Sequence, residues 1–482
     1  MDEQRLLRVL SRLNPWWNGK PVPSSILKNE HRRRDFYTLR DRLDERPVTT
    51  VCGPRQVGKT TMIGQLIQDL LTNQETEPSR VFYLSTEASA LQAGDRSLIA
   101  DVLDAYEQHF LGKSFTKLDS PVYVLIDEVQ KADGWDETLK FYVDTCPEIT
   151  FVVTGSVSTL IQKSASETLV GRVQRQTVVP FNFSDVARYH GELDESEGRF
   201  NSRQLRKSLA ESLYSDDSSE FVDALKRAVA SLSETEPVLR SRLDEYILKG
   251  GYPGVIPDEP ADALYRLDDD LQRVVTGDLT TTFSVEKPET VFKILQYFAD
   301  STGSKVSING ISNEIGVTRK TVENYIDYLE HFFLVYRSPH YTGSSKPARK
   351  QPMAYISDVG HLNSLLGVSP DATTATEDRG VQLETVVCDH LRRLQHYLSD
   401  RRNSRVEHYN KMSEVDFVVS GNDYTLPVEV KNGDSRDRSL KGLKRFIRNE
   451  ELDFGLAVNG AGVLDFGENV IHVPAWLFCS IC

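Results

Sequence analysis

Eight residues, Gly53 to Thr60, read GPRQVGKT, and they restrict the first part of the chain to one kind of local fold. A G-x-x-x-x-G-K-[ST] run can turn so that successive backbone N–H groups converge on a phosphate. The lysine, Lys59, then reaches the β/γ oxygens and the Thr60 hydroxyl is offered to Mg²⁺. PVTTVC before the loop is a β-branched run suited to a buried strand, and TTMIGQLIQDLL after it has helical periodicity. The loop therefore feeds a helix N-terminus, whose partial positive charge favours phosphate. Gly53, Pro54, Arg55, Gln56, Val57, Gly58, Lys59, Thr60 and Thr61 are the candidate residues for holding a nucleoside triphosphate.

A second element follows in the order such a site needs. PVYVLIDEV at 121–129 is an apolar strand ending in Asp127-Glu128; Asp127 is expected to hold the Mg²⁺ water shell and Glu128 to polarise an attacking water. Between the two motifs lie a candidate strand, RVFYLS at 80–85, and a helical stretch near 95–111. TFVVTGS at 150–156 predicts a further strand whose tip presents Thr154 or Ser156 to the γ-phosphate as a sensor, although both residue types also end strands through turn chemistry.

At 482 residues the chain is too long for one core, and length predicts about three domains. A formal net charge of −14 argues against a wholly basic nucleic-acid binder but not against a local basic groove. The five cysteines, at 52, 146, 388, 479 and 482, do not form a disulfide framework. Cys479 and Cys482 make a C-x-x-C without a second pair, so zinc would need a partner chain, and an apolar strand or tail is the default expectation. No leader-like start and no apolar stretch of bilayer length occur, so the expected compartment is the cytoplasm, with no membrane contact.

Residues 1–46 form an Arg-rich lead-in whose helix is expected beside the nucleotide sheet. From about 191 to 240 the composition shifts to Ser, Asp and Glu, which reads as helices and loops inserted at the surface. LDEYILKGGYPGVI (243–256) predicts a helix stopped at Gly250-Gly251. Residues 288–345 give an apolar-striped helix, a short helix ended by Gly316, a third starting at an N-capping Thr318, and the strand-like LVYRS, the order of a winged helix. In a nucleic-acid reading the third helix offers Arg319, Lys320, Asn324 and Tyr325 to a groove; in the competing reading the segment is a helical adaptor.

SEVDFVVSGNDYTLPVEVKN predicts a hairpin turning at Asn422-Asp423. Opposed positions then place Asp416 across from Glu429 and Glu414 across from Lys431. Period two puts those four on one face and Val415, Phe417, Val419, Leu426, Val428 and Val430 on the other, core face. The polar face reads either as cross-strand ion pairs or as a divalent-metal site. In the second case Asp416, Glu429 and a backbone carbonyl hold Mg²⁺, Lys431 positions or activates a water for phosphodiester attack, and Glu384, on the helical VQLETVVCDHLRRL, adds a ligand.

NPWW (14–17), GPRQVGKTT, LIDEVQ, TGS, Gly171-Arg172 followed by VVPFNFSDV, LKGGYPGV, YISDVG (355–360) and EVDFVV with VEVKN touch almost the whole chain. Together they resemble prokaryotic AAA-type ATPases, related to the signalling P-loop ATPases, that join a nucleotide core to a winged helix and a PD-(D/E)XK nuclease-like C-terminal domain. The resemblance implies an α/β chain with an ASCE/AAA-type P-loop NTPase core (1–183), a helical lid with an acidic insert (184–275), a winged helix (276–345) and a restriction-endonuclease-like α/β domain (346–482). It also implies ATP binding and hydrolysis with Mg²⁺, a homo-oligomer, DNA as partner of the winged and C-terminal parts, and Arg172 as a trans- or sensor-type arginine facing the γ-phosphate. The long acidic stretch departs from the compact family pattern. The competing class is an ATP-controlled, non-nucleolytic switch or adaptor for a protein partner.

Overall fold

The computed structural model describes residues 3–87, 98–156, 168–193, 200–215, 217–343, 350–369, 379–398, 404–411, 413–433 and 440–482. The expected helix start at 95 and most of the ELDESEG run lie outside the described residues. The chain forms two compact units, Met1–Val179 and Pro180–Cys482.

The first unit is built on five strands, β1 (Val48–Cys52), β2 (Val81–Ser85), β3 (Val122–Asp127), β4 (Ile149–Gly155) and β5 (Val173–Thr177), ordered β2-β3-β4-β1-β5. All are parallel. Crossover helices bury both faces of such a sheet, so alternate side chains of β3 enter different cores. Val122, Val124 and Ile126 pack with Val102, Leu103, Trp135 and Leu139, from α4 (Leu98–Tyr106) and α5 (Trp135–Thr145). Tyr123 and Leu125 pack with Phe36, Leu39, Ile63 and Leu66, from α2 (Arg34–Asp41) and α3 (Lys59–Thr72). The lead-in helix α1 (Glu3–Leu13) runs into the NPWW segment, whose Trp16 and Trp17 indoles both donate to the Val81 carbonyl, at 2.8 and 3.0 Å. Because β4 separates β1 from β3, the loop after β1 and the acids ending β3 meet across the carboxyl edge of the sheet, the edge where ligands of open α/β sheets bind.

In the second unit, α6 (Phe183–Tyr189), α7 (Ser202–Ser215), α8 (Ser219–Ser231), α9 (Glu236–Lys249) and α10 (Pro260–Arg273) come first. The expectation of a solvated surface insert fails for α7 and α8. Leu205, Leu209, Phe221 and Leu225 are buried in the same core as Val387, Leu391, Trp476 and Leu477. Four-residue spacing of a few apolar residues suffices to bury one helix face, and the Ser- and Glu-rich composition conceals it.

Next come α11 (Pro288–Asp300), α12 (Ile308–Ile315) and α13 (Arg319–His331), with β6 (Ser304–Lys305), β7 (Val335–Ser338) and β8 (Met353–Ile356) in an antiparallel sheet ordered β6-β8-β7. Thr318 caps α13 by accepting from Thr321 N at 3.2 Å. LKGGYPGV and YISDVG meet at Asp358, the cap of α14 (Val359–Leu365): one carboxylate oxygen accepts from Gly360 N at 2.9 Å and the other from Gly251 N at 3.0 Å. Asp358 therefore joins the end of α9 to the start of α14.

The last sheet contains β9 (Arg405–Asn410), β10 (Glu414–Ser420), β11 (Thr425–Lys431), β12 (Gly455–Asn459), β13 (Asp465–Phe466) and β14 (Val470–Pro474), ordered β13-β14-β12-β11-β10-β9. β9, β10 and β11 are antiparallel, and β12 runs parallel to β11 and β14. The hairpin turns at Asn422-Asp423, with Gly421 N donating to Tyr424 O at 3.0 Å, and Phe417 opposes Val428. The assignment of its two faces needs correction. The pairing of β10 with β9 shifts register between Val415 and Val418, so Val415 and Val418 share a core with Leu443, Phe446 and Ile447 while Phe417 and Val419 face the larger core. A bulge of this kind changes which residues share a side. Helix α15 (Gly380–Leu398) contributes to the larger core and α16 (Lys441–Asn449) to the other, so both faces are covered. Residues Ala475–Ile481 form helix α17 rather than a strand or tail, and Cys479 and Cys482 are buried thiols whose pKa burial raises.

Candidate active sites

The turn from β1 into α3 depends on Gly58, whose φ of 96° lies where side-chain-bearing residues are strained. Gly58 caps α3 without any side-chain bond, so the leading N–H groups of the helix keep no side-chain acceptor. Gly53, Pro54, Val57 and Lys59 are buried, Arg55 and Gln56 form the exposed outer turn, and Thr61 is half-buried. Lys59 is only 4% exposed, and its ammonium donates to Gly53 O at 3.0 Å and Pro54 O at 2.9 Å, with Glu128 Oε1 at 3.8 Å. A buried ammonium held by loop carbonyls in a ring of backbone donors is a receptor for an anion.

Thr60 Oγ1 donates to Asp127 Oδ2 at 2.7 Å. The other Asp127 oxygen accepts from the Thr154 hydroxyl, and Tyr83 OH reaches Oδ2 at 3.4 Å. Burial raises the Asp127 pKa, opposed by the Thr154 and Thr60 hydrogen bonds. A hard oxygen pair, one hydroxyl and one carboxylate, is the donor set Mg²⁺ takes beside triphosphate oxygens. Glu128 sits in the left-handed region at φ 55°, and its N–H donates to Thr154 Oγ1 at 3.1 Å. Thr154 is thus fully buried beneath the acids and orients both, rather than standing out as a sensor. Ser156 is the strand-tip residue that reaches the Glu128 carboxylate, donating to its Oε2 at 3.3 Å. Sequence reasoning missed a further contributor: Gln130 Nε2 donates to Glu128 Oε2 at 2.6 Å and to Ser156 Oγ at 3.2 Å. Its place two residues after Glu128 was the only signal.

Arg172 is not brought to this loop. It precedes β5, whose Val173 pairs with Val48 at the start of β1, whereas the phosphate loop follows Cys52 at the end of β1. Four residues of strand, about 13 Å, separate the two edges, and the sensor-type role in the same subunit is overturned. The guanidinium instead pairs with Asp144 at 2.7 Å, 37% exposed.

In the second unit Asp416, Glu429 and Lys431 do converge. They line a cavity of about 440 Å³ together with Ser413, Glu414, Lys441, Gly442 and Arg445. Asp416 Oδ2 accepts from Val430 N at 2.7 Å and Lys431 Nζ donates to Glu429 Oε1 at 2.7 Å. Glu429 Oε2 is buried without a hydrogen-bond partner. Burial, then Asp416, pushes the Glu429 carboxyl up to about 7, and burial raises Asp416 as well. Two ionised carboxylates at such a spot call for a cation, so Asp416 and Glu429 fit a divalent ion. Burial lowers the Lys431 pKa, but Glu429 and Asp416 outweigh it and raise it overall. Glu384 feels the charge of Asp416 but its carboxylate is engaged by a tyrosine. It accepts from Tyr355 OH at 2.7 Å, and burial followed by Asp416 pushes it up to about 7. Among the described residues no three His, Cys, Asp or Glu side chains are grouped to hold a metal, so the expected trio of Asp416, Glu429 and Glu384 is not formed.

Residues 45–187 match a family model described as an AAA domain. Residues 240–372 and 379–478 match two models described as domains of unknown function, DUF8612 and DUF4143. The chain is 23% identical over 467 residues to an uncharacterised protein of Methanocaldococcus jannaschii, covering 94% of this chain and 90% of that one. It is also 23% identical over 316 residues to an uncharacterised protein of Haemophilus influenzae, covering 64% and 66%. Among solved structures, a Walker-type ATPase of Pyrococcus abyssi aligns with a TM-score of 0.43 and 15% identity over 73% of this chain and 99% of that one. The ORC2 protein of Aeropyrum pernix in its ADP form aligns with a TM-score of 0.32 and 12% identity over 73% and 98%. The family match over 45–187 and the loop geometry point the same way: this segment is similar to an AAA domain and carries a P-loop.

Proposed function

We propose that the chain binds and hydrolyses ATP with Mg²⁺, and that its nucleotide state governs a DNA-binding, nuclease-like module in the second unit. One observation carries the ATPase part. Lys59, Thr60, Asp127 and Glu128, drawn from two motifs 67 residues apart, form a single connected cluster at the carboxyl edge of the sheet. In it Lys59 and the α3 N–H groups bind the β- and γ-phosphates. Thr60 and Asp127 hold Mg²⁺, which neutralises charge on the phosphates. Glu128, held by Gln130 and Ser156, accepts a proton from the attacking water. Arginine assistance, if Arg172 supplies it, comes from a neighbouring copy in a homo-oligomer.

Two features support the module. Helices α11 to α13 and the sheet β6-β8-β7 follow the chain order of a winged helix, with Arg319 and Lys320 exposed at the N-terminal end of α13. A helix, three antiparallel strands, a helix and a parallel strand, α15 to β12, follow the order of a restriction-endonuclease-like core, with Asp416, Glu429 and Lys431 at the hairpin. The adaptor reading has its own support: Arg337 is taken up by Asp327 at 2.7 Å and by Glu330, so the exposed side of α13 is only weakly cationic. The test is phosphate release and cleavage of labelled DNA and RNA with Mn²⁺, measured in parallel on wild type, Glu128→Gln and Asp416→Ala. The proposal expects Glu128→Gln to stop phosphate release and Asp416→Ala to stop cleavage only. Phosphate release without any wild-type cleavage would select the adaptor.

A further inference from the structure

Helix α16 reads KGLKRFIRN, and its Lys441, Lys444, Arg445 and Arg448 are all exposed. The spacing i, i+3, i+4, i+7 places them on one face, while Leu443, Phe446 and Ile447 are buried against Val415 and Ala457 on the other. In a chain with a net charge of −14 this stripe is a local feature. It leads into the carboxylate cavity. Gly442 lies so close to β10 that a Cβ there would sit 2.2 Å from the Glu414 carbonyl oxygen, and Lys441 and Arg445 line the cavity together with Asp416 and Glu429. Leu440 caps the nine-residue helix without a side-chain bond, so its leading N–H groups add positive character at the same place. Independently, Glu429, which lines the same cavity, is 6% exposed and has an Oε2 without a hydrogen-bond partner.

Two opposite demands therefore meet in one cavity. The carboxylates attract a cation, and the leading N–H groups and basic side chains of α16 attract an anion. A phosphodiester accompanied by a divalent ion meets both. We propose that α16 is a track for a nucleic-acid backbone: Lys441 and Arg445 hold the phosphodiester beside Asp416 and Glu429, and Lys444 and Arg448 engage the phosphates that follow. The stripe extends about 10 Å along the helix, room for about three phosphates of one strand, whereas a single phosphate would use the first turn alone. The proposal rests on the nucleic-acid reading of the second unit.

The test uses the full chain and a fluorescent single-stranded oligonucleotide, as DNA and as RNA, in Ca²⁺, read by anisotropy across a salt series. K441A/R445A and K444A/R448A are each expected to weaken binding at least tenfold and to reduce the log–log salt slope by about 0.7 and about 1.4 respectively, one and two single-strand phosphate contacts. Mn²⁺ titrated alone by calorimetry is expected to bind wild type and both variants alike, which also shows that the variants are folded. Unchanged oligonucleotide affinity and slope in both variants would overturn the track. Inorganic phosphate binding as tightly as the oligonucleotide would also overturn it, in favour of a single-anion pocket. Absence of Mn²⁺ binding in wild type, with the α16 effects intact, would instead overturn the metal reading of Asp416 and Glu429 and leave the track standing.

Discussion

Replacing Glu429 by Gln is expected to stabilise the β10–β11 hairpin of the metal-free chain at pH 8 and to leave it unchanged at pH 4. Burial first, and Asp416 second, raise this carboxyl from 4.5 to about 7. A raised carboxyl pKa means that the folded state holds the proton more tightly than the unfolded one. The contribution therefore favours folding below about 4.5 and is lost as pH rises through about 7. The difference corresponds to about 3 kcal/mol at one unit per 1.36 kcal/mol, shared with Asp416 because the two titrate together. Gln keeps an oxygen for Lys431 and carries no charge to desolvate, so the pH dependence between 4.5 and 7 should flatten. In the wild type at pH 8, Mn²⁺ at a hundred times its Kd should restore about 2.7 kcal/mol, and the gain should shrink below pH 7 as protons compete. The assay is hydrogen exchange of peptides spanning 414–431, followed by mass spectrometry and corrected for the intrinsic pH dependence of exchange. Equal pH slopes in wild type and Glu429→Gln, or equal protection of both by Mn²⁺, would refute the reasoning.

Gln130→Ala should free the Glu128 carboxylate and lower kcat by up to about a hundredfold, the cost of a small misplacement at a reacting centre, with ATP affinity and thermal stability unchanged; a purely structural role would move stability instead. Arg172→Ala should alter ATP turnover of the dilute protein by less than about twofold and stability by at most about 1 kcal/mol, as for an exposed ion pair. Should turnover fall in the concentrated protein and recover on mixing with Lys59→Ala chains, the arginine acts on a neighbouring copy. Arg319→Glu with Lys320→Glu should weaken duplex DNA binding and reduce the log–log salt slope by about 2; unchanged affinity at two salt concentrations would favour the adaptor.

The nucleotide loop was legible because its chemistry is local: eight consecutive residues contain the turn, the ammonium and the hydroxyl. The hairpin register was legible for a related reason, since a two-residue turn fixes which residues face each other. What the sequence concealed depends on partners far along the chain. The bulge at Val415–Val418 exists only through pairing with β9, and the burial of the second hairpin face only through α16. Arg172 lies at the far edge because β5 pairs with β1 in parallel from Val173. Glu384 turns to a tyrosine 29 residues earlier, Tyr355. The helices α7 and α8 looked solvated because charge and serine dominate their composition, while the few residues that bury them sit at helical spacing.

The central claim, that Lys59, Thr60, Asp127 and Glu128 form an ATP-hydrolysing site, is tested most directly by measuring retained radiolabelled ATP and released phosphate on the same samples of wild type, Lys59→Ala and Glu128→Gln with Mg²⁺. The account predicts that Lys59→Ala retains no ATP. Glu128→Gln should retain it while releasing phosphate at least about a hundredfold more slowly, the usual loss when a general base is removed. Retention and release in both variants equal to wild type would contradict it.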